Sequence, residues 1–428
     1  MLGDNAYNSG LDTEFQKNFF NIYKDTLLRN HPLFPTPGNH DYRNSQTYAA
    51  DRTIDYYKNF TLPFNAECGG VASGTEAYYS FDWGPIHFLS LDSYGKEDNN
   101  TTRLYDTLGA QVQWIKADLA ANNKKWVIAY WHHPPFTMGS HNSDNEAELI
   151  NIRQNFIRIL ERYGVDLVLC GHSHNYERSY LLKGYYTNEA SFSKSVHTAD
   201  SSSAKYDGTF NSCPYHYNSG QYQHGTVYAV SGSAGQGGGT QASYPHEALP
   251  FAYTNGSNGG SLYIEVEDNR LDAKMIGYDS TIKDQFTIIK DVNKYNEINI
   301  YSGEKYVLNA SWPGNYTWNT GATNRAITTQ PLASQGYFVI DNNNCLKDSF
   351  YIHVTPLPQV FTFNGNGNWS NASNWVNGLI PPSNFNSNYE IVIDPVIGGE
   401  CILDITQNIY AATTFTLKKG QKFRVKNV

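Results

Sequence analysis

Four short segments of the chain carry side chains that commonly bind metal ions. They read Gly-Asp-Asn-Ala-Tyr from residue 3, Gly-Asn-His-Asp from residue 38, Trp-His-His-Pro-Pro from residue 131 and Gly-His-Ser-His from residue 171. Their carboxylate, amide, phenol and imidazole groups suit Zn, Fe or Mn better than a metal that prefers thiolates. Each segment alone could be a polar turn, but four of them, each after an apolar run, predict one shared metal site.

The sequence around these segments alternates between predicted strands and predicted helices. Apolar runs that predict buried strands occupy residues 33–35, 86–91, 127–131, 165–170 and 226–230. Asp12 is a possible N-cap, and Phe15, Phe19 and Ile22 after it fall on one helical face. Two further helical patterns precede the third and fourth strands. Such alternation is typical of layered α/β domains, in which ligands at the carboxyl ends of neighbouring strands converge on one crevice.

Composition and charge exclude several other classes of protein. The 428 residues include 31 Lys or Arg and 40 Asp or Glu, for a formal net charge of −9, which argues against a nucleic-acid-binding protein with a basic face. No apolar run approaches the roughly 18 residues that a membrane-spanning helix needs. The five cysteines form no Cys-x-x-Cys pair. Cys68 and Cys213 lie in loop-like sequence, and the two can pair if the protein is secreted.

The order of the four motifs resembles that of the calcineurin-like metallophosphoesterases. Written as patterns, the motifs are G-D-x-x-Y, G-N-H-[D/E], H-x-P and G-H-x-H, and Tyr7 makes the set similar to that of the purple acid phosphatases in particular. The resemblance covers residues 1 to about 290. It implies an α/β (α+β) layered β-sandwich fold for this part of the chain.

The resemblance also implies a dinuclear centre that contains Fe(III) and a divalent metal. The residues implied as metal ligands are Asp4, Tyr7, Asn39, His132, His172 and His174. Asp4 would bridge the two metals, and Tyr7 and His174 would bind the ferric ion. The other three ligands would bind the divalent ion, which is Zn, Mn or Fe in this reading.

Three further residues are implied to act on the substrate. His40 and His141 would contact the phosphate or the leaving group, and Asp41 would orient His40. His133 is given no ligand role. The implied reaction is hydrolysis of a phosphate monoester by a metal-bound hydroxide, with a protonated imidazole that donates to the leaving oxygen.

Two alternatives to a secreted acid phosphatase stay open at this point. A phosphodiesterase or nucleotidase would use the same metals, although Tyr7 and His141 weigh against it. A non-catalytic secreted surface protein with a decayed phosphatase domain is the alternative from another class. Retention of the other ligands weighs against decay.

The resemblance implies one more ligand, an aspartate in a D-x-G or D-x-H motif on a strand before G-D-x-x-Y. Because Asp4 is the fourth residue, we expect the chain to be truncated at its amino terminus, without that strand or a signal peptide, and impaired as an enzyme. Asp82-Trp83-Gly84 fits the motif. It lies between two apolar runs, however, and is expected to form a hairpin turn without a metal role.

The carboxyl-terminal sequence changes to short alternating apolar and polar stretches with frequent turns. Residues 291–356 resemble an Ig-like or PKD-like β-sandwich of secreted bacterial proteins, and residues 357–428 are expected to form a partial β-repeat. These modules would follow the phosphoesterase domain, residues 1–290. They are consistent with a secreted or cell-surface protein, and we expect surface association through the β modules.

Overall fold

The computed structural model describes residues 1–97, 101–222, 224–356, 359–384, 389–409 and 413–426. The chain divides into two compact units. The first comprises residues 1–294, 311–315 and 340–347, and the second comprises 295–310, 316–339 and 348–428. The predicted domain boundary at 290/291 stays a prediction. The predicted boundary at 356/357 falls on residues 357–358, which lie outside the described residues.

The first unit is built from short strands and helices. Its strands are β1 Tyr79–Trp83, β2 Ile86–Ser90, β3 Trp126–Trp131, β4 Leu167–Cys170, β5 Tyr176–Arg178, β6 Leu181–Leu182, β7 Thr198–Asp200, β8 Tyr215–Tyr217, β9 Val227–Ser231, β10 Phe251–Tyr253, β11 Gly260–Glu267, β12 Arg270–Gly277 and β13 Ile282–Lys290. Its helices are α1 Asp12–Phe15, α2 Asn21–Tyr23, α3 Asp55–Asn59, α4 Ala110–Ala121, α5 Ala147–Asn151, α6 Ile157–Arg162 and α7 Lys194–His197. Among the described residues, no helix has both the length and the apolar composition needed to cross a bilayer.

The main sheet of the first unit has the strand order β1-β2-β3-β4-β9-β5-β10. Its centre, β2-β3-β4-β9, is parallel, while β1, β5 and β10 pair antiparallel with their neighbours. All six residues of β3 are buried, as expected for a parallel strand that is covered on both faces. The carboxyl ends of β3, β4 and β9 therefore lie at one edge of a mixed α/β sheet.

Alternate residues of β3 show which layers cover the two faces. Val127 and Ala129 pack in a core that includes Val112 and Ile115 of α4. Trp126 and Ile128 pack in a different core, which includes residues from the second sheet, β11-β12-β13-β8. Full burial of a Val or Ile side chain contributes roughly 1.5–3 kcal/mol to the free energy of unfolding. The parallel strands are thus held firmly between a helical layer and a second sheet.

Two local predictions near the amino terminus are wrong. Residues 33–35 form no strand; instead, an isolated parallel bridge joins Leu2 to Thr36. Pro32 and Pro35 lack the backbone N–H that a strand ladder requires. The helix that begins at Asp12 passes through a π-helical turn, Gln16–Phe20, which changes the helical period, and Ile22 is 59% exposed rather than buried beside Phe19.

The predicted hairpin at Asp82-Trp83-Gly84 is confirmed, but only Gly84 of the three lies in the turn, because Asp82 and Trp83 end β1. β1 and β2 pair antiparallel, and Trp83 lies opposite Ile86 across a two-residue connection. Asp82 Oδ1 lies 2.8 Å from Nδ1 of His87, and the other ring nitrogen of His87 lies 2.6 Å from Asp118 Oδ2. Burial alone would lower the pKa of His87, but the hydrogen bonds to Asp118 and Asp82 outweigh burial and raise this pKa above its ordinary value.

We expect His87→Leu to lower the free energy of unfolding by about 3–5 kcal/mol in acid, because the buried Asp118 carboxylate loses its charged partner. The contribution of a protonated His87 is fully present below its ordinary pKa of about 6.5, and is lost as pH rises through the raised pKa of the folded state. Urea unfolding of the wild-type chain and of His87→Leu at several pH values measures the difference in the free energy of unfolding. The exposed His216→Leu is the matched control, and a deficit that grows with rising pH would contradict the prediction.

A disulfide bond joins Cys213 to Cys345 within the first unit. The possible pairing of Cys68 with Cys213 is therefore wrong. The carbonyl of Cys68 instead accepts a hydrogen bond from the backbone N–H of Asp82, which holds Cys68 beside β1 as an exposed thiol. The thiols of Cys170 and Cys401 are free and buried.

The second unit is almost entirely β-structure. Its strands are β14 Tyr295–Tyr301, β15 Tyr306–Asn309, β16 Thr317–Trp318, β17 Ala326–Thr329, β18 Gln335–Ile340, β19 Lys347–Thr355, β20 Gln359–Phe363, β21 Gly367–Asn368, β22 Tyr389–Ile393, β23 Glu400–Leu403, β24 Thr414–Leu417 and β25 Lys422–Val425. Strands β20 to β25 alternate between two parallel sheets, β20-β22-β24 and β21-β23-β25. The Ig-like assignment of residues 291–356 stays a prediction.

Candidate metal centre

The four motifs lie at the carboxyl edge of the parallel strands. His132 directly follows β3, and His172 and His174 follow β4. The two amino-terminal motifs come after the residues of the Leu2–Thr36 bridge, which replaces the expected strand. Leu2 is tied to the sheet because its carbonyl accepts a hydrogen bond of 2.7 Å from Nδ1 of His132.

A first group of donor atoms surrounds the phenol of Tyr7. The phenolic oxygen of Tyr7 donates to Asp4 Oδ2 at 2.9 Å and lies 2.9 Å from Nε2 of His174. Burial and the adjacent Asp4 carboxylate raise the pKa of Tyr7 well above its ordinary value. The protein alone thus keeps the phenol protonated, and its ionisation requires a cation nearby.

A second group of donor atoms surrounds Nε2 of His132. This nitrogen lies 3.0 Å from Asp4 Oδ2, 3.1 Å from Asn39 Oδ1 and 3.2 Å from Nδ1 of His172. The Leu2 carbonyl accepts from Nδ1 of His132, so a neutral ring presents a lone pair at Nε2. The Asn39 amide donates from its nitrogen to Asn44, and its oxygen faces the same point.

These contacts fit a pair of metal ions. Neighbouring ligands with bonds of about 2.1 Å at right angles are about 3 Å apart, which matches the separations in both groups. Asp4 Oδ2 and Asn39 Oδ1 both accept hydrogen bonds, and both face Nε2 of His132. Acceptor atoms repel one another unless a proton or a cation lies between them. Asp4 Oδ2 belongs to both groups. The residues present therefore fit two ions that share one carboxylate.

The electrostatics of the site favour an ionised Asp4 carboxylate and neutral imidazoles at His172 and His174, whereas the Asp4 carboxylate outweighs burial and raises the pKa of His132. Burial would raise the pKa of Asp4, but His132 and the backbone N–H of His40 lower it well below its ordinary value. Burial lowers the pKa of His172 to about 4 and also lowers the pKa of His174. Because metal ions bind the deprotonated forms, the lowered pKa values keep Asp4, His172 and His174 available in mildly acidic solution, while a metal ion must displace a proton from Tyr7.

Two of the candidate ligands have an unusual backbone. Asp4 and His172 have φ angles of 53° and 65°, in the left-handed region that non-glycine residues rarely adopt. Such conformations cost about 1–3 kcal/mol and concentrate at functional sites. Gly38 packs so tightly on Asp4 that a Cβ atom at residue 38 would lie 2.3 Å from Asp4 Oδ1. The surrounding chain therefore imposes the position of the Asp4 carboxylate.

His40 lies beside the site, but Asp41 does not orient it. The His40 ring centroid is 4.4 Å from that of Tyr7, and its Nδ1 lies 2.6 Å from the carbonyl oxygen of Asn8. The buried Asp41 carboxylate accepts from the backbone N–H groups of Asn5 and Gly38. The expected contact between Asp41 and His40 is corrected accordingly, because Asp41 ties the first two motif loops together.

His141 also reaches the site, through a residue that the sequence interpretation missed. Its ring stacks on His172 with centroids 3.7 Å apart, and its Nδ1 lies 3.0 Å from Glu146. The same carboxylate lies 3.4 Å from Nε2 of His172, the nitrogen that points away from His132. Glu146 follows His141 by five residues at the start of α5, a spacing that could have identified it.

We expect Glu146→Ala to weaken Zn²⁺ binding by about 10–100-fold, because a carboxylate behind a metal-binding imidazole fixes its tautomer and orientation. Titration of the metal-free chain with Zn²⁺ in competition with a chelator measures the affinity. Glu148→Ala removes a carboxylate from the same helix and is the matched control. Equal affinity in both variants would show that Glu146 does not support His172.

His133 is buried next to these residues. Its Nδ1 lies 2.9 Å from the hydroxyl of Ser93, and its ring centroid lies 4.3 Å from that of His172. Burial, together with the neighbouring His172 and His132, lowers the pKa of His133 well below its ordinary value. Its hydrogen bond to Ser93 and its packing give His133 a supporting position.

The part of the chain that carries the four motifs is similar to known phosphatases. Residues 1–176, which contain all four motifs, match the family model for calcineurin-like phosphoesterases. Purple acid phosphatase 15 of Arabidopsis thaliana is 33% identical over 171 residues, which are 39% of this chain and 29% of that protein. Tartrate-resistant acid phosphatase type 5 of Mus musculus is 29% identical over 181 residues, which are 41% of this chain and 54% of that protein.

Among solved structures, purple acid phosphatase PPD1 from yellow lupin (Lupinus luteus) seeds is 18% identical, with a TM-score of 0.38. The similarity covers 52% of this chain and 34% of that one. The chain thus spans only part of the relatives that it matches. Its amino-terminal part matches the calcineurin-like phosphoesterase model, and purple acid phosphatases are among the proteins to which this part is similar.

Proposed function

We propose that the chain is a metal-dependent acid phosphatase that hydrolyses phosphate monoesters. The observation that carries the proposal is the position of Asp4 Oδ2, which lies 2.9 Å from the Tyr7 phenol of one donor group and 3.0 Å from His132 of the other. A shared carboxylate of this kind suits two ions of different charge, one of them beside a phenol. Phosphate monoester hydrolysis is a reaction that such a pair of ions supports.

In this proposal each candidate ligand keeps the role that the sequence implies. Asp4 would be the ligand shared by the two ions, while Tyr7 and His174 would hold Fe(III). Asn39, His132 and His172 would hold the divalent ion, which is Zn, Mn or Fe in this proposal. When bound, the ions would activate a water molecule and neutralise the charge of the phosphate.

The imidazoles of His40 and His141, at the rim of the site, would contact the substrate. Nδ1 of His141 faces Glu146, and Nδ1 of His40 faces the carbonyl oxygen of Asn8, so each of these nitrogens carries a proton. The remaining nitrogen, Nε2, is then the atom of each ring that can contact a phosphate oxygen or donate a proton to the leaving oxygen. His141 is 34% exposed at its side chain, which allows it to reach a substrate.

The test is to load the chain with Fe and Zn and to measure hydrolysis of a nitrophenyl phosphate and of the corresponding diester in acid. We expect the monoester to be hydrolysed in preference to the diester. A visible absorption band from phenolate bound to Fe(III) should accompany activity, and Tyr7→Phe should remove that band. Preference for the diester would favour a phosphodiesterase, and no hydrolysis by the folded, metal-loaded chain would contradict the proposal.

We also propose that the protein acts in an oxidising compartment, as a secreted or cell-surface protein. The Cys213–Cys345 disulfide supports this, since such bonds persist mainly outside the cytosol. Thiol titration of the secreted, denatured protein should detect three reactive cysteines, those that are free in the structure. Five reactive thiols would contradict the proposal. Surface association through the carboxyl-terminal strands remains a prediction.

A further inference from the structure

We propose that a cleft beside the metal centre binds the leaving group of the substrate, and that this group is a neutral, hydroxyl-rich molecule such as a sugar. This inference rests on the proposed phosphatase function and names the class of monoester that the site takes. The cleft has a volume of about 510 Å³, within the range typical of small-molecule sites. It is lined by residues 233–236, 257–263 and 276–278.

The topology of the main sheet places this cleft next to the candidate ligands. β9 is the parallel neighbour of β4, so the loop after β9, residues 232–239, starts at the same sheet edge as the loop that carries His172 and His174. The carboxyl ends of parallel strands are the usual position of ligand sites in such sheets. One wall of the cleft is therefore formed by the loop adjacent to the metal centre.

Two hydrogen bonds connect the cleft wall to the metal centre. The backbone N–H of Gly238 donates to the carbonyl of His174 at 2.8 Å, and that of Gly237 donates to the carbonyl of Ser257 at 3.4 Å. Gly237 and Gly238 are consecutive residues, whose Cα atoms are only about 3.8 Å apart. One of them contacts the candidate ligand His174 and the other contacts Ser257 of the cleft lining. A leaving group attached to a phosphate at the metal centre can extend into the cleft.

The lining carries hydrogen-bonding groups but no charge. All of its residues are described, and none of them is Asp, Glu, Lys, Arg or His. Hydroxyl and amide groups come from Ser233, Gln236, Ser257, Asn258 and Ser261. A site without cations does not compensate the charge of a polyphosphate or a polycarboxylate, whereas neutral hydroxyl groups find both donors and acceptors here.

Ser233 supplies a second, independent indication of a ligand. Its residue is only 3% exposed, and its Oγ atom has no hydrogen-bond partner among the described residues. Buried hydroxyl groups are nearly always paired, so the Ser233 hydroxyl needs a partner that the described residues do not supply, either a water molecule or a ligand in the cleft. A ligand hydroxyl would complete this pairing.

Two tyrosines give the cleft flat apolar surfaces. Tyr263 is 50% exposed and Tyr278 is 61% exposed, and both line the cleft. An aromatic ring with a polar tip suits a molecule that has C–H faces and hydroxyl edges, which is the chemistry of a sugar. Together, the neutral lining, the unpaired hydroxyl and the rings favour a sugar as the leaving group over a leaving group that carries further phosphates.

The experiment compares glucose 6-phosphate, ethyl phosphate and adenosine triphosphate as substrates of the metal-loaded full chain. We expect kcat/KM for glucose 6-phosphate to exceed that for ethyl phosphate by about tenfold or more, the size expected for a few added contacts. Tyr278→Ala should remove most of this preference and leave ethyl phosphate hydrolysis within about twofold. Tyr222→Ala, at an exposed tyrosine outside the cleft, is the matched control.

Saturation-transfer NMR with free glucose provides a readout that does not need hydrolysis. The signal should be present with the wild-type chain and weaker with Tyr278→Ala and with Ser233→Ala. Equal kcat/KM for glucose 6-phosphate and ethyl phosphate, or a preference for adenosine triphosphate, would overturn this inference while the phosphatase proposal stands. Glucose binding without hydrolysis of any monoester would contradict the phosphatase proposal and leave the sugar site supported.

Discussion

The His132→Ala variant is expected to lose about a thousandfold or more of kcat/KM toward an aryl phosphate in acid. Nε2 of His132 contacts Asp4, Asn39 and His172. The substitution therefore removes the central donor atom of the second group. The bound divalent ion should be lost on dialysis, whereas the donors around Tyr7 keep their mutual contacts. Metal analysis and steady-state kinetics on the same sample measure both effects.

The exposed His31→Ala is the control for this substitution, since it removes an imidazole away from the motifs. Circular dichroism and thermal unfolding show whether the His132 variant remains folded. If the folded variant kept more than about a tenth of wild-type activity and its full metal content, His132 would not be a ligand, and the two donor groups would not form one dinuclear site.

The Gly38→Ala variant should lose about a hundredfold of activity, although it changes no side chain that binds metal. Its new methyl group would lie 2.3 Å from Asp4 Oδ1 and 2.4 Å from the backbone nitrogen of Asp4, so the carboxylate must move. A displacement of about 1 Å in a catalytic group costs roughly this factor. Hydrolysis of an aryl phosphate and metal titration measure the loss.

Gly336→Ala is a suitable control, because a Cβ atom there would make only ordinary contacts, the nearest at 3.8 Å from the carbonyl oxygen of Phe350. This control should match the wild-type chain in both activity and metal content. Wild-type kinetics in Gly38→Ala would show that the Asp4 carboxylate can shift without consequence, and would argue against its position between two ions.

The sequence predicts the parallel strands well, because their apolar runs are long enough to be buried on both faces. β4 lies within its predicted range, β3 begins one residue before its range, and His132 and His172 come after these strands as expected. The segment at 33–35 has the same apolar character but is interrupted by prolines. Only the three-dimensional arrangement shows that a single bridge between Leu2 and Thr36 takes the place of that strand before the second motif.

Side-chain partners were harder to predict than ligand types. A motif gives the type of each ligand, but the partner of Asp41 depends on how two distant loops pack, and the Asp41 carboxylate accepts hydrogen bonds from Asn5. Glu146 escaped notice because carboxylates are common at helix starts, and only its distances to His141 and His172 distinguish it. The Cys213–Cys345 bond spans 132 residues, and spacing alone contains no signal for such a pair.

The same disulfide determines how the protein responds to limited proteolysis. Residues 332–334 are exposed, and they precede Cys345 in the chain. A protease that cuts there divides the polypeptide into two pieces, but the bond to Cys213 keeps the pieces covalently joined. On a denaturing gel without reductant the nicked protein should migrate as one species, and reductant should release a carboxyl-terminal fragment of roughly a fifth of the mass.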